Sequence, residues 1–127
     1  MSDVGILSFG AYIPRKRLQR AAIHAANAWF APGLAGLAKG ERAIGNWDED
    51  SITMAVEAGR GALVGMDREQ IGSLSLASTT LPFDDRLNAG IVKEARKWPD
   101  AVAAREVTGR QRAATSSLIQ ALKAASA

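Results

Sequence analysis

The sequence predicts an α/β fold with a small, mostly parallel sheet of about three strands and helices packed against it. Three short apolar segments, 4–9, 71–78 and 101–107, have the length and composition of buried strands. Apolar residues recur at helical spacing in the stretches between and after them. Strands that alternate with helices are joined by right-handed crossovers and form parallel sheets. The chain of 127 residues is expected to form one domain over 1–127.

The first third of the chain is predicted to contain one strand and one helix. The strand is VGILSF at 4–9, and Gly10 ends it. A loop with three consecutive basic residues follows. The alanine-rich stretch 21–30 favours a short helix. Prolines and glycines between 32 and 40 are then expected to interrupt regular structure.

The clearest helix signal begins at the acidic run Asp48–Asp50, followed by Ser51. These side chains could be metal ligands, but acids at the start of a helix usually act as caps and complement the helix dipole. Gly59 and Gly61 lie inside the predicted helix, where each glycine costs about 1 kcal/mol. We expect them to let another backbone approach closely.

The second half continues the alternation of strands and helices. Asp84 and Asp85 precede a predicted helix and are expected to cap it. Gly109 is expected to turn the chain between the last strand and the last helix. The predicted elements are a strand, a helix, a strand and a helix, at 71–78, 86–98, 101–107 and 112–124.

Composition excludes several kinds of chemistry. The chain has no cysteine, which excludes disulfides, cysteine-bound metals and a cysteine nucleophile. His24 is the single histidine, so a multi-histidine metal site is excluded, and we expect His24 to be a partly buried structural residue. We predict no metal. No apolar run reaches the ~20 residues that span a bilayer, so we expect a soluble cytoplasmic protein without a membrane partner.

Positive charge is concentrated toward the C-terminus. Residues 1–85 hold 8 basic and 10 acidic residues, a net charge of −2, whereas residues 86–127 hold 8 and 3, a net charge of +5. A basic third could face the phosphates of coenzyme A or of a nucleic acid, although a solvated face is the commoner reason for such charge. Aromatic residues are only 6% and do not interleave with the basic ones, which disfavours nucleic acid.

The segment VTGRQRAATSSLIQAL places Gln111 between a predicted strand and the start of a helix. A helix N-terminus stabilises negative charge, so this is a position where a nucleophile would be activated. Glutamine cannot form a covalent acyl intermediate.

Three segments together resemble the thiolase superfamily, and within it the hydroxymethylglutaryl-CoA synthase-like proteins and the type III 3-oxoacyl-ACP synthases. They are GILSFGAYIPRKRL, GERAIGNWDEDSITMAVEAGRGAL and VTGRQRAATSSLIQAL. The resemblance implies half of a thiolase-like fold, namely an N-terminal half truncated before its last two strands. It also implies a parent activity of acyl transfer and carbon–carbon bond formation.

The resemblance assigns family positions to individual residues. Gln111 falls on the nucleophilic cysteine, and Thr79 falls near the general-base glutamate. Trp29, Arg42 and Trp47 fall in the region that admits coenzyme A. The remaining catalytic residues of the family belong to a second half. The resemblance therefore implies no bound cofactor, with coenzyme A or acyl-CoA as the conceivable ligand.

In members of the family, the strand equivalent to 101–107 lies at the dimer interface and is usually apolar. Here it carries Arg105 and Glu106, and charge on an edge strand opposes pairing. One hypothesis is a truncated and engineered half-domain that is a monomer or an altered oligomer; the alternative is natural divergence. A complementary half-domain or subunit is the expected partner.

Three functions follow from the sequence. The first is a non-catalytic fragment or scaffold derived from a thiolase-fold condensing enzyme. The second is one subunit of a heteromeric enzyme that condenses or decarboxylates acyl-CoA or acyl-ACP. The third is a module that binds phosphate groups or nucleic acid through the C-terminal charge and a basic loop of three residues: Arg15, Lys16 and Arg17.

Overall fold

A computed structural model describes residues 3–126, which form two compact units. The smaller unit comprises residues 13–49, and the larger unit comprises residues 3–12 and 50–126. No helix in the described part of the chain is long and apolar enough to cross a membrane.

The smaller unit is built on an antiparallel strand pair. Strand β1 (Lys16–Gln19) pairs with β2 (Glu41–Ile44), and helix α1 (Arg20–Asn27) follows β1 directly. A 3-10 helix, Pro32–Leu37, leads back toward β2. The backbone N–H of Arg20 donates to the carbonyl of Gly40 at 2.9 Å and fixes the start of α1 beside the start of β2.

The prediction for residues 13–49 is confirmed for the helix and wrong for the strands. Helix α1 occupies most of the predicted range 21–30, but the basic loop is partly strand β1, and no strand was predicted at 41–44, where β2 lies. Both strands are short and mostly polar, so neither shows the apolar alternation that identifies a strand. They form because residues far apart in sequence pair with each other.

The larger unit contains the predicted parallel strands. Strand β3 (Ser73–Ala77) pairs with β4 (Ala103–Val107), with Ser73 opposite Ala103 and Ala77 opposite Val107. Three helices complete the unit: α2 (Ser51–Ala62), α3 (Asn88–Ala95) and α4 (Ala113–Ala125). The core cluster comprises Ile52, Leu76, Ala89 and Val92. The α/β architecture with a parallel strand pair is therefore confirmed.

The predicted strand at 4–9 is wrong. Residues 4–9 form neither a strand nor a helix, and their large apolar side chains are exposed, Leu7 and Phe9 each to 89%. A strand requires backbone hydrogen-bond partners on a neighbouring strand. Within residues 3–126 no ladder pairs with this segment, so there are two two-stranded sheets instead of one sheet of three.

The acidic start of α2 is the predicted helix cap. The Asp50 carboxylate accepts from the N–H of Thr53 at 2.8 Å, and the Thr53 hydroxyl oxygen accepts from the N–H of Asp50 at 2.9 Å. This reciprocal pair satisfies two backbone donors at the first turn.

Substituting this cap provides a test of α2. We expect Asp50→Ala to lower the free energy of unfolding by about 1 kcal/mol, because the Thr53 N–H loses its acceptor. Chemical denaturation measures the change. Asp48→Ala is the matched control, because Asp48 is exposed and does not cap the helix. Equal losses in the two variants would contradict the capping role.

The close backbone approach predicted at the α2 glycines is confirmed at Gly61 only. A Cβ built on Gly61 would lie 3.8 Å from the Cα of Gly10, whereas one built on Gly59 would meet nothing within 4 Å. The residue that requires the absence of a side chain is Gly10, which packs on α2 from the N-terminal segment 4–10.

Candidate functional site

The parallel pair brings the ends of β3 and β4 to one edge of the larger unit. The N–H of Ser78 donates to the carbonyl of Val107 at 3.2 Å, which extends the pairing by one step beyond the strands. Thr79 follows β3, and the turn containing Gln111 follows β4. The carboxyl ends of parallel strands are the usual place for ligands in α/β folds.

Gln111 lies in the turn between β4 and α4. Gly109 adopts a left-handed conformation with φ of 80°, which glycine permits at low cost, and redirects the chain toward α4. The N–H of Ala113 donates to the carbonyl of Arg110 at 3.0 Å and closes the turn. Gln111 is exposed, and Arg112 occupies the N-cap of α4 without a side-chain cap bond. The expected junction between a parallel strand and a helix N-terminus is thus present.

Thr79 lines a cavity of about 330 Å³ at the end of β3. The cavity also contains Glu106 and Thr108 from the β4 side, but Gln111 does not line it. Thr79 therefore shares a cavity with Glu106 and not with Gln111. The lining residues are Thr79, Leu81, Phe83, Asp84, Arg86, Glu106 and Thr108.

Glu106 has a role that sequence reasoning missed. Its Oε1 accepts a hydrogen bond of 2.9 Å from the N–H of Ala89 in the first turn of α3. The interpretation of Glu106 as a charge on an open edge is therefore wrong, because the side chain is half-buried and bonded inside the unit. Arg105 on the same strand remains exposed, and its Nε donates to the Ser75 hydroxyl at 3.0 Å.

The predicted capping of α3 by Asp84 and Asp85 is also wrong. Leu87 occupies the N-cap and makes no side-chain cap bond. Asp85 instead pairs with Arg86, with N–O distances of 3.1 and 2.8 Å. These hydrogen bonds hold the pKa of Asp85 below its usual value, and the same carboxylate raises the pKa of Arg86. The acceptor for the first turn of α3 comes from β4, 17 residues later in the chain.

The loop that forms this side of the cavity is held by Asn88. Asn88 is 1% exposed, and its Nδ2 donates to the carbonyl of Phe83 at 2.8 Å while its Oδ1 accepts from the N–H of Phe83 at 3.1 Å. The guanidinium of Arg86 lies 5.1 Å from the centre of the Phe83 ring. The Asn88 side chain therefore holds the loop through both the N–H and the carbonyl of Phe83.

The three residues expected near coenzyme A do not share a cavity in the smaller unit. Trp47 is 92% exposed, and Trp29 is 85% exposed with its ring packed edge-on against Phe30 at 5.1 Å. Arg42 lines two cavities beside α1, and it shares one of them with Arg20 and His24. Sequence reasoning missed Arg20, and it placed His24 only as a structural residue. Arg20 lies four residues before His24 but one residue before the predicted helix 21–30, so the helical spacing of the two residues became visible only when the structure placed the start of α1 at Arg20.

The chain is similar in sequence to part of the hydroxymethylglutaryl-CoA synthases. The chain is 36% identical over 100 residues to the hydroxymethylglutaryl-CoA synthase of Methanococcus vannielii. The matched residues make up 75% of this chain and 28% of that protein. It is 34% identical over 107 residues to the synthase of the same name from Pyrococcus furiosus, covering 82% and 29%. The chain is a thiolase-like relative of the hydroxymethylglutaryl-CoA synthases. No family model matches the chain.

Solved structures show the same fold. Xanthomonas campestris OleA superimposes with a TM-score of 0.84 at 19% identity, covering 96% of this chain and 38% of that protein. The 3-oxoacyl-(acyl carrier protein) synthase III of Xanthomonas oryzae gives 0.78 at 20% identity, covering 96% and 39%. The chain spans less than a third of the length of the synthases that it matches in sequence.

Proposed function

We propose that the chain is a non-catalytic part of a thiolase-fold system that condenses acyl-CoA or acyl-ACP thioesters. The observation that carries this proposal is Gln111 at the turn between β4 and α4, where the resemblance places the nucleophilic cysteine. An amide side chain provides no thiolate and no basic lone pair for covalent acyl transfer. The chain has no cysteine elsewhere that could replace it.

The end of β3 supports the same proposal. Thr79 stands where the resemblance places the general-base glutamate, and a threonine hydroxyl does not accept a proton near neutral pH. Glu106 lies in the same cavity, but one of its oxygens accepts from the Ala89 N–H. That hydrogen bond holds the Glu106 side chain against the first turn of α3.

A complementary subunit that supplies the second half of the fold is part of the proposal. The matched synthases extend well beyond the portion shared with this chain. In such an assembly the chain would act as a scaffold that presents the ends of β3 and β4 to the partner.

A second candidate is a decarboxylating subunit, and the exposure of Gln111 favours it. Its amide N–H groups could donate to a thioester oxygen that becomes negative when carbon dioxide leaves. This stabilisation of developing charge requires donors aimed at the oxygen, and it needs no covalent intermediate. Turnover of malonyl-CoA by the chain alone would favour this candidate over a non-catalytic part.

Several basic residues of the third candidate function are engaged internally. Lys16 donates to Asn46, and Arg17 donates to the carbonyl of Lys16 at 3.1 Å. Lys93 donates to the carbonyl of Asp100 at 2.8 Å. These basic side chains already make hydrogen bonds at separate places within the chain. We therefore do not propose a nucleic-acid interface.

Restoring a thiol at the turn tests the non-catalytic proposal. We expect the unsubstituted chain to take up no acetyl group from acetyl-CoA, and Gln111→Cys to take up no more than an exposed cysteine elsewhere on the chain would, because position 111 does not line the cavity at the ends of β3 and β4. Intact-protein mass spectrometry detects the thioester that would form as coenzyme A leaves.

Ser116→Cys is the matched control, because it places an exposed thiol on α4 away from the turn. Equal, slow labelling of both cysteine variants would reflect ordinary thiol reactivity. Labelling of Gln111→Cys that approaches one acetyl per chain, with none on the control, would overturn the non-catalytic proposal.

A further inference from the structure

Two adjoining cavities lie against α1 in the smaller unit. The first has a volume of about 280 Å³, and the second a volume of about 700 Å³; Ile23 and Arg42 line both. Ligand sites in proteins commonly have volumes of roughly 300–1,000 Å³. The first cavity is lined by Arg20, Ile23, His24, Leu34, Leu37 and Arg42.

The polar groups of the first cavity are all basic. Arg20 and His24 lie one turn apart on α1 and therefore on the same face. Arg42 lies on β2, opposite Leu18 of β1. The Arg20–Gly40 backbone hydrogen bond holds α1 beside β2, so the two guanidinium-bearing elements have a fixed spacing.

Within the described residues neither Arg20 nor Arg42 forms an ion pair with an acidic side chain. Residues 13–49 contain six Lys or Arg and three Asp or Glu, a net charge of +3. Glu41 is adjacent to Arg42 in sequence but accepts from Gln19 at 2.6 Å. Within residues 3–126 the two ion pairs are Arg60–Glu57 and Arg86–Asp85. Arg20 and Arg42 therefore face the cavity with their charge available to an anion.

The apolar part of both cavities is aliphatic. Leu34 and Leu37 lie three residues apart on the 3-10 helix, so they project from the same side. The larger cavity adds Leu18, Ile44 and alanines of α1. The exposed tryptophans, Trp29 and Trp47, line neither cavity. The walls suit an alkyl chain rather than a stacked aromatic base.

We propose that Arg20, His24 and Arg42 form a binding site for an amphipathic anion with a single alkyl chain. The guanidinium groups would bind a carboxylate or phosphate head, for which arginine provides paired donors. The alkyl chain would extend along Ile23 and Leu34 and continue into the larger cavity. This site goes beyond the proposed function, and its properties are independent of Gln111.

Calorimetric titration of the full chain with decanoate, below its micelle concentration, tests the site. Decanoate and decyl phosphate should both bind, which compares the two anionic heads on one chain length. The affinity of the fatty acid should fall by up to about fourfold for each CH₂ removed from its alkyl chain, because each CH₂ buries apolar area on binding. Decyltrimethylammonium has the same chain length with the opposite charge and should not bind.

Arginine substitutions locate the anion. Arg42→Gln should weaken decanoate binding by about tenfold or more, since it removes charged donors to the head group. Arg20→Gln is the second variant, because its backbone bond to Gly40 does not depend on the side chain. Arg15→Gln is the matched control; it removes the same charge from an exposed residue outside both cavities.

The outcomes distinguish the site from general adsorption. Unchanged decanoate affinity in both Arg42→Gln and Arg20→Gln, with circular dichroism showing a folded chain, would overturn the proposal. Equal binding of decyltrimethylammonium would also overturn it. Binding of coenzyme A without binding of decanoate would leave a nucleotide site and overturn the alkyl-anion site. None of these results bears on acyl transfer at position 111.

Discussion

Gly10→Ala is expected to lower the free energy of unfolding by about 2–3 kcal/mol, because the new methyl group has no space against α2. A Cβ at this position would lie 2.4 Å from both the carbonyl oxygen of Ala58 and the backbone nitrogen of Ala62. Both neighbours are helix backbone and cannot move aside by changing a rotamer. The N-terminal segment must therefore shift away from α2.

That shift has a local signature that separates it from general destabilisation. The Ser8 hydroxyl donates to the carbonyl of Ala62 at 2.5 Å and also lies 3.2 Å from the sulfur of Met66. We expect these contacts to be lost, so amide hydrogen exchange should increase at the C-terminal end of α2. Urea denaturation measures the accompanying change in the free energy of unfolding.

Gly5→Ala is the matched control for this substitution. A Cβ on Gly5 would meet no heavy atom within 4 Å, so its stability should stay within about 0.5 kcal/mol of the natural chain. Both glycines lie in the same exposed segment, and they differ in their contact with α2. If Gly10→Ala proved as stable as Gly5→Ala, the close packing of this segment on α2 would be refuted.

The same segment shows why part of the fold could not be predicted from the sequence. Residues 4–9 have the apolar composition of a buried strand, yet a strand exists only where a neighbouring backbone pairs with it. Strands β1 and β2 show the reverse case, because polar residues pair over a separation of more than 20 residues. In both cases the deciding interaction is distant in sequence.

Elements whose signals are local were predicted correctly. The cap of α2 lies within Asp50–Thr53, β3 and α4 have apolar periodicity of their own, and β4 lies between the breaks at Pro99 and Gly109. The turn that carries Gln111 was placed because Gly109 marks it within the same short segment. The cap of α3 was assigned wrongly. Asp84 and Asp85 lie just before the helix in the sequence, but the carboxylate that accepts from its first turn is that of Glu106, on a later strand.

The candidate sites follow the same division. Gln111 could be placed in a turn because Gly109 follows the predicted strand 101–107, and Thr79 directly follows the predicted strand 71–78; the family positions assigned to both residues come from the resemblance alone. The cavity of Arg20 and Arg42 could not, because it depends on the register of β1 with β2 and on the position of α1. Charge composition indicated basic surfaces but did not show which arginines lack an acidic partner.

Replacement of Asn88 is the second substitution with a large expected effect. Asn88→Ala should lower the free energy of unfolding by about 3 kcal/mol, because it leaves the N–H and the carbonyl of Phe83 without their partners. The side chain is almost fully buried, so water does not readily replace it. Thermal or urea denaturation measures the loss.

Asn27→Ala is the control for loss of an amide side chain. Asn27 donates from Nδ2 to the carbonyl of Ile23 at 2.7 Å near the end of α1, and it is only half-buried. Its removal should cost less than about 1.5 kcal/mol, because it breaks one hydrogen bond at a hydrated position. A loss as large as that for Asn88→Ala would show that burial does not set the difference.

Asn88→Asp tests the direction of the hydrogen bonds rather than the volume of the side chain. The two side chains have the same shape, but a carboxylate places an acceptor where Nδ2 donates to the Phe83 carbonyl. It also introduces a charge at a position that is 1% exposed. We therefore expect Asn88→Asp to be at least as destabilising as Asn88→Ala. Because Asn88 holds the loop that lines the cavity with Thr79, faster hydrogen exchange across residues 81–87 should accompany the loss of stability. If Asn88→Asp had the same free energy of unfolding as the unsubstituted chain, this assignment of the hydrogen bonds would be refuted.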